Sequence, residues 1–486
     1  MVIRSSILDW RIVVLSIIFW YILLKSWERS GLLDKWNSTR ALGAILMIRT
    51  TRGLKTLEIL SKPRKFWRIF GEISLWVCRL SMGFVLILLL LSIVLAIIFP
   101  PTQPPPSLSE MVAVPGLNPV IPLGWGIIAF VVSLVIHEFG HGLQARAHGM
   151  RVKSFGLLLL GPLPLGAFAE PEYDELTRAP SRERQRIFAA GPATNIFTAV
   201  VCFLMLGAIA TQFSATVDGV HPQGIVSDSG AEKGGLQSWD IITKINGTDI
   251  KNQNDFTEVM ENYDAGESIE LTVIPHNETS DYIAVNVLLS DKHEYYADMG
   301  WDNETLEYLG ISPGDAFLGV SGISDNTNGI DRMAGPLSTN SELGVTSRLI
   351  LVPIHTITIL TTPFNYKGTS IHPAEEAMLD SEGGMVGELV GKTVLLFLFN
   401  LLFWLIWVNI LLGFTNLIPM IPFDGGHMFR DVIHDSVSKI NRFGKKRGWW
   451  SIHPLKINQM ISRTSGISSI ILLFGILFMV LIQYVR

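Results

Sequence analysis

Charge and cysteine are both scarce in this chain. Only 17% of its 486 residues are charged and only two are cysteines, while 48% are hydrophobic. So little charge excludes a disordered or heavily solvated chain and points to a membrane. The two cysteines, Cys78 and Cys202, both fall in apolar runs, which excludes a disulfide framework and suits small packing residues. A net charge of −5 gives no footing for a nucleic-acid partner, and no low-complexity tract or solenoid repeat is present.

What is present is a set of long apolar runs. About 20 residues are needed to cross roughly 30 Å of hydrocarbon. Six runs meet that length, near Ile7 to Leu24, Leu75 to Phe99, Ile121 to Arg146, Ile187 to Thr211, Val394 to Ile418 and Ile467 to Tyr484. The first carries Asp9 and Arg11 and lacks a small-residue cleavage site, so it reads as a retained span rather than a signal peptide. The expected fold class is an α-helical polytopic membrane protein of about six transmembrane helices with an inserted soluble α+β domain.

Charge segregates between the runs. Residues 25–74 hold eleven basic residues against four acidic, and 428–464 hold eight against two. Residues 212–391 hold seven basic against twenty-eight acidic. Basic loops collect on the cytoplasmic side. The pattern therefore predicts a multi-pass protein of the cell membrane with both termini and the acidic insert outside.

The expected organisation follows. Residues 1–120 carry two spans and a basic loop, within which 41–60 reads as an amphipathic surface helix or a solvated loop helix. The prolines at 100–106 read as an outer linker. Residues 121–211 form the first half of a membrane core. Inside it, Phe155 to Phe168 is apolar yet broken by glycine and proline, which suits a re-entrant hairpin or sheet beside a site. Residues 212–345 alternate in short strands and form the soluble module. Residues 346–391 read as interfacial, 392–430 as the second half of the core, and 431–486 as a basic loop with a last span.

The chemistry concentrates in His137-Glu138-Phe139-Gly140-His141. Two histidines four apart share a helical face and reach one Zn²⁺, with Glu138 beside it as a general base. Ionisable residues inside a span are expensive and mark a functional site. A catalytic zinc takes three protein ligands. The third is sought in Asn416-Leu417-Ile418-Pro419-Met420-Ile421-Pro422-Phe423-Asp424-Gly425-Gly426-His427, where Asp424 is preferred and His427 is the alternative.

These residues resemble the site-2 protease family of intramembrane zinc metalloproteases, on His137, Glu138, His141, Asn416, Pro419, Pro422, Asp424 and Gly425, and on the Gly-xxx-Asn pattern of Gly191 to Asn195. The likeness covers 121–211 and 394–429. It implies one zinc held by His137, His141 and Asp424, with Glu138 catalytic. It further implies that Asn195 lines the site to bond the substrate or a developing oxyanion; from the residues alone, an interhelical hydrogen bond serves equally well. Transmembrane protein substrates and a lipid bilayer are the implied partners.

In the insert, Ser229-Gly230-Ala231-Glu232-Lys233-Gly234-Gly235-Leu236 followed by Asp240 to Gly247 looks like a PDZ domain. It departs from that pattern at Gly230, where Pro is usual, and at Trp239, where Gly is usual. If it binds peptide, the strand around Gly224 to Val226 would take an extended partner; otherwise it filters by size. The rival functions are a membrane metalloenzyme with another reaction, a metal transporter, and an inactive zinc-binding scaffold.

Overall fold

The computed structural model describes residues 10–483 except 42, 100–106, 112, 162, 277–280, 340, 342 and 367. The proline linker and the start of the first expected span lie outside the described residues. In chain order the main elements are α1 (Trp10–Arg29), β1 (Ser38–Ala41), β2 (Ile45–Thr50), α2 (Leu54–Leu60), α3 (Arg64–Ile98), α4 (Leu123–Ala147), β3 (Val152–Leu160), β4 (Leu163–Pro171) and α5 (Ser181–Ala210). There follow β5 (Val220–His221), β6 (Ile241–Ile245), α6 (Gln253–Met260), β7 (Ser268–Ile274), β8 (Ile283–Leu288), β9 (Ser324–Asp325), α7 (Val345–Thr358), α8 (Lys392–Asn416), α9 (Asp424–Lys446) and α10 (Pro454–Leu481).

Among the described residues, six helical segments are long and apolar enough to cross a membrane. They are Arg64–Ile98, Leu123–Ala147, Ser181–Ala210, Val345–Asn365, Lys392–Asn416 and Pro454–Leu481. Five coincide with the runs read from sequence. The sixth falls where an interfacial segment is expected, because α7 continues through a 3-10 turn and a short helix to Asn365. It is the least hydrophobic of the six.

The chain divides into two compact units, 1–202 with 404–486, and 203–403. The first holds an antiparallel sheet in the order β1-β2-β3-β4. The hairpin or sheet expected at Phe155 to Phe168 is the pair β3–β4, but residues 41–60 correct the sequence reading. They are a β-strand and a short helix, not one amphipathic helix. The apolar and basic residues of Leu46 to Arg49 fit either period, and pairing of Ile48 with Leu157 and Arg49 with Gly156 decides for the strand.

The second unit carries an antiparallel sheet, β8-β7-β6-β5-β9, around a core that includes Val220, Ile242, Ile245, Leu271, Val287 and Phe256 of α6. The departures from the PDZ pattern have local reasons. Ser229 caps the turn of helix Gly230–Gly234 by accepting from the Glu232 N–H at 3.2 Å. A Cβ on Gly230 would stand 1.8 Å from the Leu288 carbonyl oxygen, so this helix lies directly on β8 and has no room for proline. Trp239 adopts φ 73°, the left-handed region in which glycine is at ease, at a cost of about 1–2 kcal/mol. Its ring is stacked between those of His221 and His372, at 5.4 and 4.2 Å between centroids, which offsets that cost. Gly224–Ile225 pairs along one edge with Val320–Ser321, so an added peptide strand would have to take the other edge.

Candidate metal centre

His137 and His141 project from one face of α4, as their spacing requires. His141 Nδ1–H donates to the Ile187 carbonyl at 2.7 Å, and His137 Nδ1–H donates to Asn195 Oδ1 at 3.1 Å, both acceptors lying on α5. These two bonds fix both imidazoles in the tautomer whose Nε2 carries a free lone pair.

The two Nε2 atoms stand 3.1 Å apart, and Asp424 Oδ2 lies 3.2 Å from each. Three lone-pair atoms so close, with both ring protons spent elsewhere, repel one another unless a cation sits among them. Tetrahedral zinc with ligand distances of about 2.0–2.1 Å spaces its donors about 3.3 Å apart. The donor set and its dimensions fit zinc.

Glycine makes this approach possible. A Cβ on Gly191 would lie 2.3 Å from His141 Nε2 and 2.8 Å from His137 Nε2, so any larger residue on α5 would occupy the metal position. Gly425 and Gly426 serve Asp424 similarly, letting the first turn of α9 nest against the backbone of 417–421. The Asp-Gly-Gly run is therefore a helix start rather than a plain turn, and the positive end of α9 favours the Asp424 carboxylate. His427, one turn on, stacks on Phe188 at 4.7 Å instead of joining the cluster.

Glu138 accepts a 2.6 Å hydrogen bond at Oε2 from the Ala169 N–H of β4. The outermost strand of the sheet thus holds the candidate base. Asn195 is fully buried; its Oδ1 accepts the hydrogen bond from His137 Nδ1–H and its Nδ2 donates to the Ser133 carbonyl at 3.4 Å. Its amide thus ties α5 to α4, the interhelical hydrogen bond that the residues alone also allow.

Sequence reading missed the backbone partners, Ile187 and Ala169, because a carbonyl or amide carries no residue signature. The partners of the arginines at the start of α5 are likewise not readable from charge counts. Arg184 forms two hydrogen bonds to Asp431 of α9, at 3.2 and 2.7 Å, and Arg182 and Arg186 pair with Glu72 of α3. The Arg184 pair anchors α9 two turns beyond Asp424.

Two histidines and a carboxylate brought together on helices long and apolar enough to cross a membrane, with a glutamate beside them, mark a multi-pass membrane protein with a candidate metal site. Residues 125–454 match Peptidase family M50, and the chain belongs to that family. An uncharacterized protein of Methanocaldococcus jannaschii is 28% identical over 90% of this chain and 89% of its own. A "Putative zinc metalloprotease" of Neisseria meningitidis is 30% identical over 29% of this chain and 37% of its own length. A chloroplast protein of Arabidopsis thaliana, described as a membrane metalloprotease, is 27% identical over 24% of this chain and 33% of its own. Among solved structures, the PDZ domain of an SdrC-like protein from Listeria monocytogenes aligns with 22% of this chain and 90% of that domain, at 19% identity and a TM-score of 0.16.

Proposed function

We propose that this protein is an intramembrane zinc metalloprotease of the site-2 type, hydrolysing peptide bonds within or near transmembrane segments of other membrane proteins. The observation that carries the reading is the convergence of His137 Nε2, His141 Nε2 and Asp424 Oδ2 at 3.1–3.2 Å beside Glu138. One zinc held by these three residues supplies Lewis acidity, polarising a carbonyl and acidifying water.

Glu138 is the proton carrier. With Oε2 held by the Ala169 N–H, Oε1 takes the proton of the attacking water and returns it to the leaving amine. Asn195 and the Ile187 carbonyl keep the two imidazoles in register and do not touch substrate. As the edge of the sheet, β4 offers backbone groups that an unwound substrate can pair with, which brings its peptide bonds alongside Glu138. A segment able to leave the helical state is the substrate this arrangement demands.

The segregation of charge supports basic loops 25–74 and 428–464 on the cytoplasmic side, and 212–391 and both termini outside. On that reading Val345–Asn365 stays on the outer side, since crossing would turn the loop 428–464 outward. The outer module screens what reaches the site, by size or by binding an extended peptide.

The test is zinc content and cleavage of a transmembrane substrate by wild type, Glu138→Gln and Asp424→Asn. One zinc per chain with cleavage, zinc without cleavage in Glu138→Gln, and loss of both in Asp424→Asn are expected. Cleavage by Glu138→Gln at the wild-type rate would overturn the assignment in favour of a different metalloenzyme, a transporter or a scaffold.

A further inference from the structure

A cavity of about 230 Å³ lies between α4 and one face of the sheet β2-β3-β4. Val135, Glu138 and Phe139 of α4 form one wall, and Ile48, Leu157 and Ala167 contribute to the other. Val135, Glu138 and Phe139 are three and four residues apart, so they share a helical face adjacent to the one that carries the histidines. The only carboxylate in the lining is that of Glu138, and Arg52 at the lining is exposed. The cavity is otherwise mainly apolar.

The sheet register explains why space is left there. Ile48 pairs with Leu157 and Leu157 with Ala167, so the three form one row across β2, β3 and β4. Thr50, Phe155 and Ala169 form the next row on the same face. Both rows end on alanine at the outermost strand. A strand added to β4 would continue each row, and residues directly opposite one another stand about 4.5–5.5 Å apart at Cβ. A side chain opposite Ala167 therefore projects over the gap that the alanine leaves. The Ala169 row ends at the amide that holds Glu138, so that side chain sits within two residues of the reacting peptide.

Small-molecule sites usually occupy about 300–1,000 Å³. This cavity is smaller and fits a side chain rather than a separate ligand. We propose that it is a specificity pocket for one medium-sized apolar side chain of the substrate, such as Leu, Met or Phe, within two residues of the bond cut, and that Ala167 sets its size. The proposal rests on the protease reading given above.

The test uses the full-length protein and a transmembrane substrate in which each of the four positions around the cleaved bond is changed in turn to Ala, Leu, Phe, Trp or Asp. At one position wild type is expected to cut the Leu or Phe substrate at least about 10-fold faster than the Ala or Asp substrate. Ala167→Phe fills the gap and reverses that preference toward Ala, whereas Ile48→Ala extends it to Trp. A readout independent of turnover is photo-crosslinking in Glu138→Gln, where photo-leucine at the preferred position labels β2 or β3 at Ile48 or Leu157.

If Ala167→Phe does not fold, Ile48→Ala and the crosslink decide. Unchanged preferences in variants that still cleave, or a crosslink elsewhere, overturn the pocket. So does a lipid acyl chain as its occupant, seen as co-purified lipid lost from Ala167→Phe in native mass spectrometry with preferences unchanged. A wild type that cleaves nothing, or a Glu138→Gln that cleaves normally, instead overturns the protease reading beneath it.

Discussion

The two units use glycine in the same way for different ends. On α5, the missing side chain of Gly191 lets a helix approach two histidines closely, beside the place proposed for the ion. On the helix at 230–234, the missing side chain of Gly230 lets a short helix rest on the Leu288 carbonyl. In the first case the space gained belongs to a ligand, and in the second it is filled by protein. A methyl group in each place should therefore separate function from stability.

The largest effect is expected at Gly191→Ala. Its Cβ would point into the proposed metal position, so zinc stoichiometry should fall from one per chain to near zero and cleavage with it, while the melting temperature of the second unit stays unchanged. Full zinc occupancy in this variant would show that α5 does not approach the ligands as closely as the structure has it.

Asn195→Ala comes next. Removing an outer partner of a metal-bound histidine commonly costs about 10–100-fold in metal affinity or activity. Competition with a chelator should show a loss in that range, with cleavage restored by excess zinc. A loss of cleavage that excess zinc does not restore would return Asn195 to the substrate-binding role that its motif suggests. Arg184→Ala should weaken zinc retention as well, by loosening α9. Its pair with Asp431 is partly buried, at 23% and 11% side-chain exposure, so the effect should be smaller than that of Asn195.

The candidate metal cluster is legible in the sequence because HExxH puts two candidate ligands on one helical face and a broken helix ending in Asp-Gly narrows the search for a third, and the structure brings the three together. What holds the cluster is not legible. The Ile187 carbonyl and the Ala169 amide are backbone groups, and their alignment depends on β4 being an edge strand. That sheet in turn needs β2, whose residues Leu46 to Arg49 satisfy a helix pattern as well as a strand pattern until β3 is alongside. The inserted module was legible as strands from its period of two. Trp239 was legible only as a departure, and the stacking that makes its backbone tolerable joins it to His372, more than 100 residues away in sequence, as well as to the nearer His221.

In the second unit, Gly230→Ala should leave zinc untouched and lower stability by about 1–3 kcal/mol, since the Leu288 backbone can yield only by moving the helix off β8. Thermal melting with zinc determination on the same sample checks both halves of the contrast. Loss of zinc in this variant would mean that the two units do not behave independently.

The smallest effect is one of pH. His221 is buried and its proton affinity is lowered, first by burial, against the raising influence of its hydrogen bond from Nδ1 to Asn326. Around it stand Trp239, Asp325, Arg332 and Glu375. The unfolded chain takes up the proton near the ordinary value of about 6.5, the folded chain only below that. The unfolded state thus binds more protons as pH falls through about 6.5, and the stability present above that pH is lost below it. Glu375 is held ionised, on balance, by its pair with Arg332 and adds to the loss at lower pH, whereas Asp325, raised by burial, opposes it. The second unit should melt about 2–4 °C lower at pH 5.5 than at pH 7.5. His221→Gln, which carries no titrating ring, should flatten that difference without changing zinc content. An equal fall in the variant would assign the acid sensitivity to the carboxylates and leave the His221, Trp239 and His372 stack with a packing role alone.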